Sequence, residues 1–344
     1  MSSSRRDFLK SSTAVAATVV AGSIAGSVVA PVEAHALPLN TLTAEAMPTR
    51  NLGKTGYRTG IFSLGGQAAV ERANNEAVAV PIVERAIDLG INYIDTAAQY
   101  GGTDRWSQRY IGQVMKTRRK EVYLASKTHD RSRDGSLRLL EQSLKLLNTD
   151  HLDAWQLHHV TTQDDVDKIF EKGGAIEALV QAREQKMVRF LGVTGHTDPG
   201  LLIQCIERFP FDQILMAVNA ADPHHLSFQE KLLPLAVEKQ MGIIGMKIPA
   251  RGRILSSWDP KAGVEHSWEG GAPKAGTLNM KEAMYYTMSL PVSTVIIGCD
   301  TIAQLEENVK LARDFTPLSQ TQLAGLTAKT EPCHKQALFF RNWS

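Results

Sequence analysis

The chain has 344 residues, of which 43% are apolar and 22% are charged, and its formal net charge is +2. This length and composition are those of an ordinary globular protein with one large domain. A net charge so close to zero, without a strongly basic or acidic block, argues against nucleic acid as the main partner.

The first 36 residues have the pattern of an export signal. Ser4-Arg-Arg-Asp-Phe-Leu-Lys10 resembles the twin-arginine export motif, a Ser/Ala/Val/Gly run extends to Ala30, and Ala34-His-Ala36 offers small residues to a signal peptidase. A membrane anchor is the alternative, but a run rich in Ala and Gly rather than Leu is a poor transmembrane segment. We therefore expect a signal peptide over residues 1–36, twin-arginine export, a periplasmic location and no stable membrane insertion after processing.

From Thr49 onward, strand patterns alternate with helix patterns. A glycine-rich hairpin over 49–60 is expected to close the bottom of a barrel. The predicted strands cover 61–65, 92–96, 122–127, 152–158, 189–193, 213–218, 242–247 and 294–297, and the helices 76–89, 106–117, 136–147, 175–185, 200–208, 229–240, 280–289 and 303–314. Eight continuous units without a Gly-x-Gly-x-x-Gly motif predict an α/β fold, a (β/α)8 TIM barrel over 49–315. Residues 37–48 form a linker and 316–344 a C-terminal extension.

Titratable side chains lie where three of the predicted strands end. Asp95 lies near the end of one strand and Tyr100 in the turn after it, and Lys127 and His158 close the next two strands. In a parallel barrel these ends meet at the face that carries the active site. Asp95 could instead cap a turn and Tyr100 could be a surface aromatic, but a lysine that closes an apolar strand requires a partner.

These four side chains together suit chemistry at a carbonyl group. A tyrosine phenol, with an ordinary pKa of about 10, is a proton donor at neutral pH, and a neighbouring ammonium group is expected to lower that pKa. A carboxylate keeps the lysine charged, and an imidazole donates a hydrogen bond to the substrate oxygen. Because none of them is a hydride source, a reduction here needs a nicotinamide cofactor. Strand alternation predicts that only one of His158 and His159 faces the site.

Seven segments match the motifs of a known enzyme family. They are Asn92-Tyr-Ile-Asp-Thr-Ala, Tyr100-Gly, Trp106-Ser-Gln-Arg-Tyr-Ile-Gly112, Leu124-Ala-Ser-Lys, Leu157-His158, Gly192-Val-Thr-Gly and Gln304-Leu-Glu-Glu-Asn308. Through them residues 49–315 resemble the aldo-keto reductase family. The resemblance implies a catalytic tetrad of Asp95, Tyr100, Lys127 and His158, with Tyr100 as proton donor in the NAD(P)H-dependent reduction of an aldehyde or ketone. It also favours His158 over His159. The alternative function is a nucleotide-binding sensor or interaction protein with little turnover.

The resemblance also assigns cofactor contacts, with departures from the family pattern. Thr194-Gly195 stands where the family has a Ser-Asn pair at the nicotinamide amide, and Asn219 is the nearest polar substitute for a missing glutamine. Met246, with Lys247 beside it, replaces a stacking aromatic. The segment 250–255 matches the family's pyrophosphate loop. Its expected contacts are Arg251, Arg253 and Leu255.

The adenosine end of the cofactor is expected beyond the eighth strand. The residues assigned to it are Gly298, Asp300, Thr301, Gln304 and Asn308. Family membership implies NADP, whereas an acidic Asp300 and an uncharged Gln304 keep NAD possible. Asp300 and Thr301 could equally be a plain helix N-cap.

The sequence does not identify the substrate, beyond a small carbonyl compound. The family selects substrates through loops that correspond here to 196–198, 223–228, 258–273 and 333–344. Their aromatic side chains either line an apolar pocket or serve packing, and they are Trp258, Trp268, Phe339, Phe340 and Trp343. No metal site is predicted. The three cysteines are expected to be buried thiols, with one disulfide as the alternative.

Overall fold

Eight parallel strands close into a barrel in the computed structural model, which describes residues 36–256 and 275–343. Each barrel strand pairs with the next along the chain, and the last returns to the first through Val295 and Phe62. After a hairpin of β1 (Thr49–Asn51) and β2 (Arg58–Gly60), the barrel strands are β3 (Phe62–Gly65), β4 (Tyr93–Asp95), β5 (Tyr123–Thr128), β6 (Leu152–Leu157), β7 (Val188–Gly195), β8 (Gln213–Ala217), β9 (Gly242–Met246) and β10 (Thr294–Ile297). The predicted (β/α)8 barrel is confirmed.

Aromatic rings fill the end of the barrel where the strands begin. Tyr93 and Tyr123, the first residues of β4 and β5, stack with ring centroids 5.1 Å apart. Tyr57 from the hairpin packs on Tyr123 at 4.8 Å and donates a hydrogen bond of 2.7 Å to the carbonyl of Asn92. The predicted hairpin therefore closes this end, and the opposite end is available for a site.

Helices connect successive barrel strands and bury an apolar face against the barrel, while within the described residues one short helix precedes the hairpin and three more follow the last strand. They are α1 (Thr43–Ala46), α2 (Glu76–Asp88), α3 (Trp106–Arg118), α4 (Arg133–Leu146), α5 (Gln163–Phe170), α6 (Ala175–Glu184), α7 (Pro199–Arg208), α8 (Leu232–Glu238), α9 (Met280–Ser289), α10 (Ile302–Arg313), α11 (Gln320–Thr330) and α12 (His334–Ala337). In α2, for example, the buried side chains Ile82, Val83, Ala86 and Ile87 recur at helical spacing.

Two helices differ from the prediction. Helix α5 was not predicted, although Thr162 and Asp165 form a reciprocal capping box at its start. The helix predicted over 229–240 is shorter, because the carboxylate of Asp222 accepts hydrogen bonds from the backbone N–H groups of Phe228 and Gln229 and holds them in a loop.

The segments that flank the predicted barrel pack against it. Asn40, within the expected linker, is buried and donates a hydrogen bond of 2.8 Å to the carbonyl of Ile87. At the other end of the chain, Arg341 in the C-terminal extension is also buried. Both flanks therefore contribute to the folded unit that contains the barrel. The predicted signal peptide lies outside the described residues, apart from its last residue, Ala36.

The three cysteine side chains are all buried, as predicted. Burial raises the pKa of Cys205 to about 12, and burial raises the pKa of Cys299 to about 12 as well. A search of the described residues finds no helix that is long and apolar enough to cross a membrane.

Candidate active site

The barrel brings the four predicted catalytic residues together at the end where its strands finish. Asp95 is the last residue of β4, Lys127 lies near the end of β5, and His158 directly follows β6. Tyr100 is presented by the turn after β4, in which Gly101 adopts φ +84° and a Cβ would crowd the backbone nitrogen of Trp106. Parallel pairing of neighbouring strands therefore assembles a site from residues that are up to 63 positions apart in sequence.

An ion pair between Lys127 and Asp95 forms the centre of the site. Both side chains are 1% exposed, and the lysine Nζ donates a hydrogen bond to the aspartate Oδ2. Nζ also donates to the carbonyl of Thr96 at 2.9 Å, and Gln156 Nε2 donates to Asp95 Oδ1 at 3.1 Å. Burial raises the pKa of Asp95 and lowers that of Lys127, and each partner opposes the shift of the other. The additional hydrogen bonds compensate part of the cost of burying the charges.

The Tyr100 hydroxyl lies beside this ion pair. Lys127 Nζ is 3.4 Å from the hydroxyl oxygen and 4.8 Å from the centre of the ring. Burial, followed by the negative charges of Asp95 and Glu71, raises the pKa of Tyr100 well above its ordinary value. The expectation that the pKa of Tyr100 is lowered is therefore wrong. The Asp95 carboxylate balances the ammonium charge, so desolvation of the phenolate dominates.

Three histidines, rather than one, meet at the mouth of the barrel. The ring of His158 lies edge-on to that of Tyr100, with centroids 5.7 Å apart. His159 has φ +55°, and its ring centroid lies 6.1 Å from that of His158 and 4.8 Å from that of His196. The prediction that only one of the adjacent histidines faces the site is wrong. The strand β6 ends at Leu157, and the left-handed backbone of His159 turns its side chain to the same side as that of His158, instead of the opposite side as in a strand.

The imidazole of His158 is neutral in this environment. Burial, and then the charge of Lys127, lowers the pKa of His158 well below its ordinary value. Its Nδ1 is buried and has no hydrogen-bond partner among the residues that the structure describes. A neutral imidazole carries one N–H donor and one acceptor, so this ring can donate a hydrogen bond to a substrate oxygen without adding a charge.

The predicted nicotinamide contacts lie on the inner wall above β7, β8 and β9. The Thr194 hydroxyl is buried, faces inward in alternation with Phe190, and has no hydrogen-bond partner among the described residues. A buried hydroxyl without a partner fits the polar amide of a nicotinamide. Gly195 follows it and packs against Leu202, while the buried Met246 supplies an apolar surface at the end of β9.

Asn219 and Lys247 connect the loops at this end of the barrel. Asn219 Nδ2 donates to the carbonyl of Lys247 at 3.1 Å, and its Oδ1 accepts a hydrogen bond of 2.9 Å from the backbone of Ala221. Lys247 Nζ lies 3.4 Å from Gln67 Oε1. Burial, and then the charge of Arg251, lowers the pKa of Lys247 to about 7. A bound anion would stabilise the charged form of this lysine.

The loop predicted to bind the pyrophosphate is arranged around left-handed residues. Arg251 adopts φ +56°. The guanidinium of Arg253 lies over the ring of Phe339, 4.1 Å from its centroid. The backbone of Leu255 forms an isolated parallel β-bridge with that of Leu278. The loop is thus held on one side by the C-terminal segment.

The residues assigned to the adenosine end cap helix α10. Thr301 Oγ1 accepts a hydrogen bond of 3.2 Å from Gln304 N, and Gln304 Oε1 accepts one of 2.8 Å from Asp300 N. Asp300 also pairs with Arg72, at 2.7 Å. Asn308 is buried and donates to the sulfur of Cys299 at 3.5 Å. A helix N-terminus with a neighbouring guanidinium suits a phosphate, so this end of the barrel fits a dinucleotide.

Close backbone packing at Gly298 joins the first and last strands of the barrel. A Cβ there would lie 2.9 Å from the carbonyl oxygen of Gln67. The chain after β3 therefore reaches the groove above β10, and it brings Gln67 and Arg72 into the predicted cofactor region. Neither residue has a role in the prediction from sequence: a closed barrel places β3 beside β10, but no local pattern indicates which side chains after β3 reach the chain after β10.

The C-terminal aromatics surround the same opening. Phe340 lies 6.2 Å from the ring of His196, centroid to centroid, and Trp343 stacks on His225 at 3.9 Å. Trp258 and Trp268 fall outside the described residues. His196 lies in the predicted loop 196–198 and has no predicted role of its own. Because every second residue of a strand faces the same side, the inward position of Thr194 predicts that His196, two residues later, also faces the barrel interior.

The comparisons with known proteins agree with this geometry. Residues 59–269, more than half of the chain, match the model of the aldo/keto reductase family, and residues 2–22 match that of the twin-arginine translocation (TAT) pathway signal sequence. The chain is 26% identical to the uncharacterized oxidoreductase YqkF of Bacillus subtilis, over 83% of its own length and 97% of the relative's. It is also 26% identical to L-galactose dehydrogenase of Arabidopsis thaliana, over 82% and 94% of the two chains.

Among solved structures, the chain is similar to the holo form of aldo-keto reductase AKR11C1 from Bacillus halodurans. The TM-score is 0.66 and the sequence identity 23%, over 82% of this chain and 96% of that one, which is a likeness of fold. The family match and the relatives settle the class of enzyme as well as the architecture. The chain belongs to the aldo/keto reductase family and is an NAD(P)-dependent oxidoreductase.

Proposed function

We propose that the protein reduces an aldehyde or ketone to an alcohol, with Tyr100 as the proton donor. The observation that carries this proposal is the position of Lys127, whose Nζ contacts Asp95 and lies 3.4 Å from the Tyr100 hydroxyl. The cofactor, when bound, supplies the hydride. Tyr100, Lys127, Asp95 and His158 supply the remaining chemistry at the carbonyl oxygen.

The four side chains divide the work at that oxygen. The neutral His158 donates a hydrogen bond that orients the carbonyl, and Tyr100 transfers its proton to the oxygen as negative charge develops there. The transfer leaves a phenolate, which the ammonium of Lys127 stabilises at short range, and Asp95 holds that ammonium in place. The same residues run in reverse for oxidation of an alcohol, and L-galactose dehydrogenase is a relative whose name denotes that direction.

The cofactor we propose is NADP, because the acidic Asp300 is not an isolated negative charge. Its carboxylate pairs with the guanidinium of Arg72, and both side chains are partly exposed at the start of α10. An arginine that reaches this region offers a fork-shaped donor to a ribose phosphate. A ribose hydroxyl could still bind Asp300, so NAD is the competing cofactor.

The location we propose is the periplasm, reached through the twin-arginine machinery. The match of residues 2–22 to the signal model supports export. A route that carries folded proteins suits an enzyme that needs a nucleotide, because the cofactor can be bound before export.

The function is tested by single-turnover kinetics. Purified enzyme loaded with NADPH is mixed rapidly with a panel of reactive aldehydes, and loss of the reduced nucleotide's absorbance is followed. We expect oxidation with at least one aldehyde and loss of that reaction in Tyr100→Phe. If the enzyme binds NADPH but oxidises it with no member of the panel, the function as a nucleotide-binding sensor replaces this proposal.

A further inference from the structure

The end of the chain is anchored in the barrel mouth by one buried arginine. Arg341 and Asp222 form an ion pair in which both side chains are 0% exposed. The same guanidinium donates hydrogen bonds to the carbonyls of His196 and Ala217, the latter at 3.0 Å. It also lies on the ring of Phe228, 3.9 Å from the centroid. Arg341 thus joins the C-terminal segment to the chain after β7 and to the loop after β8.

Asp222 is held as firmly as its partner. Its carboxylate accepts hydrogen bonds from the Ser227 hydroxyl at 2.7 Å and from the backbone N–H groups of Phe228 and Gln229, each at 3.1 Å. A buried ion pair contributes little net stability, because desolvation opposes the attraction between the charges. Its effect here is geometric: it fixes two loops and the C-terminal segment in one arrangement.

His196 is the side chain that this arrangement presents to the pocket. It follows Thr194 in the inward alternation beyond β7, and its ring lies between those of His159 and Phe340, at 4.8 Å and 6.2 Å between centroids. The side chain is 8% exposed, and its Nδ1 has no hydrogen-bond partner within the described ranges. A buried ring nitrogen without a partner represents a hydrogen bond that a ligand can complete.

The charge state of the ring cluster formed by His159, His196 and Phe340 indicates which chemical group can form a hydrogen bond with Nδ1 of His196. Burial, and then the charge of Lys247, lowers the pKa of His196 well below its ordinary value, and burial also lowers the pKa of His159. Neutral imidazoles exchange hydrogen bonds with hydroxyl groups without needing a charged partner, so a hydroxyl group suits His196 and His159. His158, beside the reacting carbonyl in the proposed function, is adjacent to this cluster, so the hydroxyl would lie close to the carbonyl carbon.

We propose that His196 is a substrate-positioning residue that binds a hydroxyl group next to the substrate carbonyl, and that Arg341 holds it in place. The proposal rests on the reductase function proposed above. It assigns specificity for hydroxylated over plain aldehydes to a side chain outside the tetrad, and it explains why an arginine near the C-terminus is buried in the barrel mouth.

The first test compares two three-carbon aldehydes, glyceraldehyde and propanal, in wild type and His196→Leu. We expect kcat/KM for glyceraldehyde to fall about tenfold, the value of one neutral hydrogen bond, mostly through KM. Propanal should change less than about twofold, because it has no hydroxyl to lose. His151→Leu, at the opposite end of β6, is the matched control and should alter neither. Equal losses for both aldehydes overturn the proposal.

A binding measurement separates this proposal from the reductase function itself. Affinities of glycerol and 1-propanol for the NADPH complex are measured by the fluorescence of the bound nucleotide. Wild type should prefer glycerol and His196→Leu should not. If wild type reduces neither of these two aldehydes, the panel of reactive aldehydes decides the reductase function and this binding comparison alone decides the role of His196. If wild type shows no preference for glycerol, the role is overturned even where both aldehydes are reduced.

The anchor is tested with a variant that leaves no buried charge unpaired. Arg341→Met combined with Asp222→Asn should reproduce the loss of glyceraldehyde preference, and adding His196→Leu should reduce it little further, because all three changes disable one unit. Arg341→Lys, with Asp222 unchanged, should keep part of the glyceraldehyde preference that the double variant loses. Lys329→Met is the control: Lys329 lies in the same C-terminal extension, and the change removes a partly exposed ion pair with Glu282 of α9. A double variant that folds, by thermal unfolding, and keeps the preference overturns the role of Arg341.

Discussion

Burial, and then the charge of Asp95, determines how Tyr100 ionises. The ammonium would favour the phenolate, but the carboxylate beside it and the lack of water favour the neutral phenol. A resting tyrosine that keeps its proton is what a proton donor requires. The ammonium then matters chiefly after the transfer, when the phenolate needs a counter-charge.

The first prediction concerns the division of labour in this group. Tyr100→Phe removes the donor and should lower kcat by a factor of about 10² to 10⁴, while the Kd for NADPH stays nearly unchanged. Lys127→Met should cost a comparable factor. The double variant should be little worse than either single one, because both disable one proton transfer. Losses that multiply, or a Phe variant with wild-type turnover, would point to another proton donor.

The second prediction concerns pH. Because the pKa of Tyr100 is raised, the proton-bearing form persists to higher pH, and kcat for reduction should stay level through about pH 9, where an ordinary tyrosine begins to ionise. Asp95→Asn removes a charge that raises this pKa, so the alkaline fall in kcat should move to lower pH. The pH profiles of the two proteins measure this directly, and profiles that coincide would contradict it.

The third prediction concerns Lys247. Its pKa of about 7 means that it is charged below that pH and neutral above it. Affinity for the anionic nucleotide should therefore weaken as the pH rises from 6 to 8. Lys247→Gln should remove this dependence and Lys247→Arg should hold the affinity at its low-pH level, both measured by fluorescence titration. A wild-type Kd that is constant over this range would exclude the role.

The fourth prediction concerns the choice of cofactor. Arg72→Ala removes the guanidinium and leaves Asp300 uncompensated, so NADPH should bind about fivefold more weakly and NADH nearly as before. Asp300→Asn should change the ratio in the opposite direction. Equal effects on NADPH and NADH in either variant would mean that this ion pair does not contact the ribose.

At the scale of the elements, strands and helices with a clear hydrophobic period could be predicted from sequence, and local exceptions could not. The eight strand–helix units follow from the alternation of patterns, and the tetrad follows from the ends of three strands. The second histidine at the site could not be predicted, because it depends on a left-handed residue after β6. Helix α8 was predicted too long, because a single carboxylate, that of Asp222, reorganises the chain before it.

Contacts between distant segments were the main limit of the prediction. Arg72 reaches Asp300 across 228 positions, and Arg341 reaches Asp222 across 119. No periodicity in either segment indicates such a partner. The family resemblance supplied the tetrad and a list of cofactor positions, but not the arginines that adjust the charge around them.

One further prediction tests how tightly the helices pack. Gly112 lies within α3, where a Cβ would overlap the carbonyl oxygen of Leu146 in α4. Gly112→Ala should lower the free energy of unfolding by about 1–3 kcal/mol, because this clash exceeds the gain in helix propensity. Gly325→Ala in α11 is the control: nothing lies within 4 Å of its Cβ position, so it should stabilise by about 0.5–1 kcal/mol. Denaturant unfolding measures both, and equal signs would contradict the packing.

At the scale of the whole molecule, the proposed export depends on the paired arginines of the N-terminal motif. Arg5→Lys with Arg6→Lys should leave an unprocessed precursor in the cytoplasm, because the twin-arginine receptor reads the pair. The precursor should still fold, since the barrel begins beyond residue 36. Cell fractionation and immunoblotting measure this, and equal amounts of processed protein outside the membrane would refute the assignment.

The buried thiols have a redox consequence for the proposed twin-arginine export. Cys205 and Cys299 are enclosed by the fold, and a pKa of about 12 leaves almost no thiolate at physiological pH. Thiolate is the species that oxidants and disulfide exchange attack. In the proposed export route, the chain folds in the reducing cytoplasm, so these sulfurs would already be enclosed before the protein reached an oxidising compartment. We therefore expect alkylating reagents to label Cys205 and Cys299 only after the barrel is unfolded.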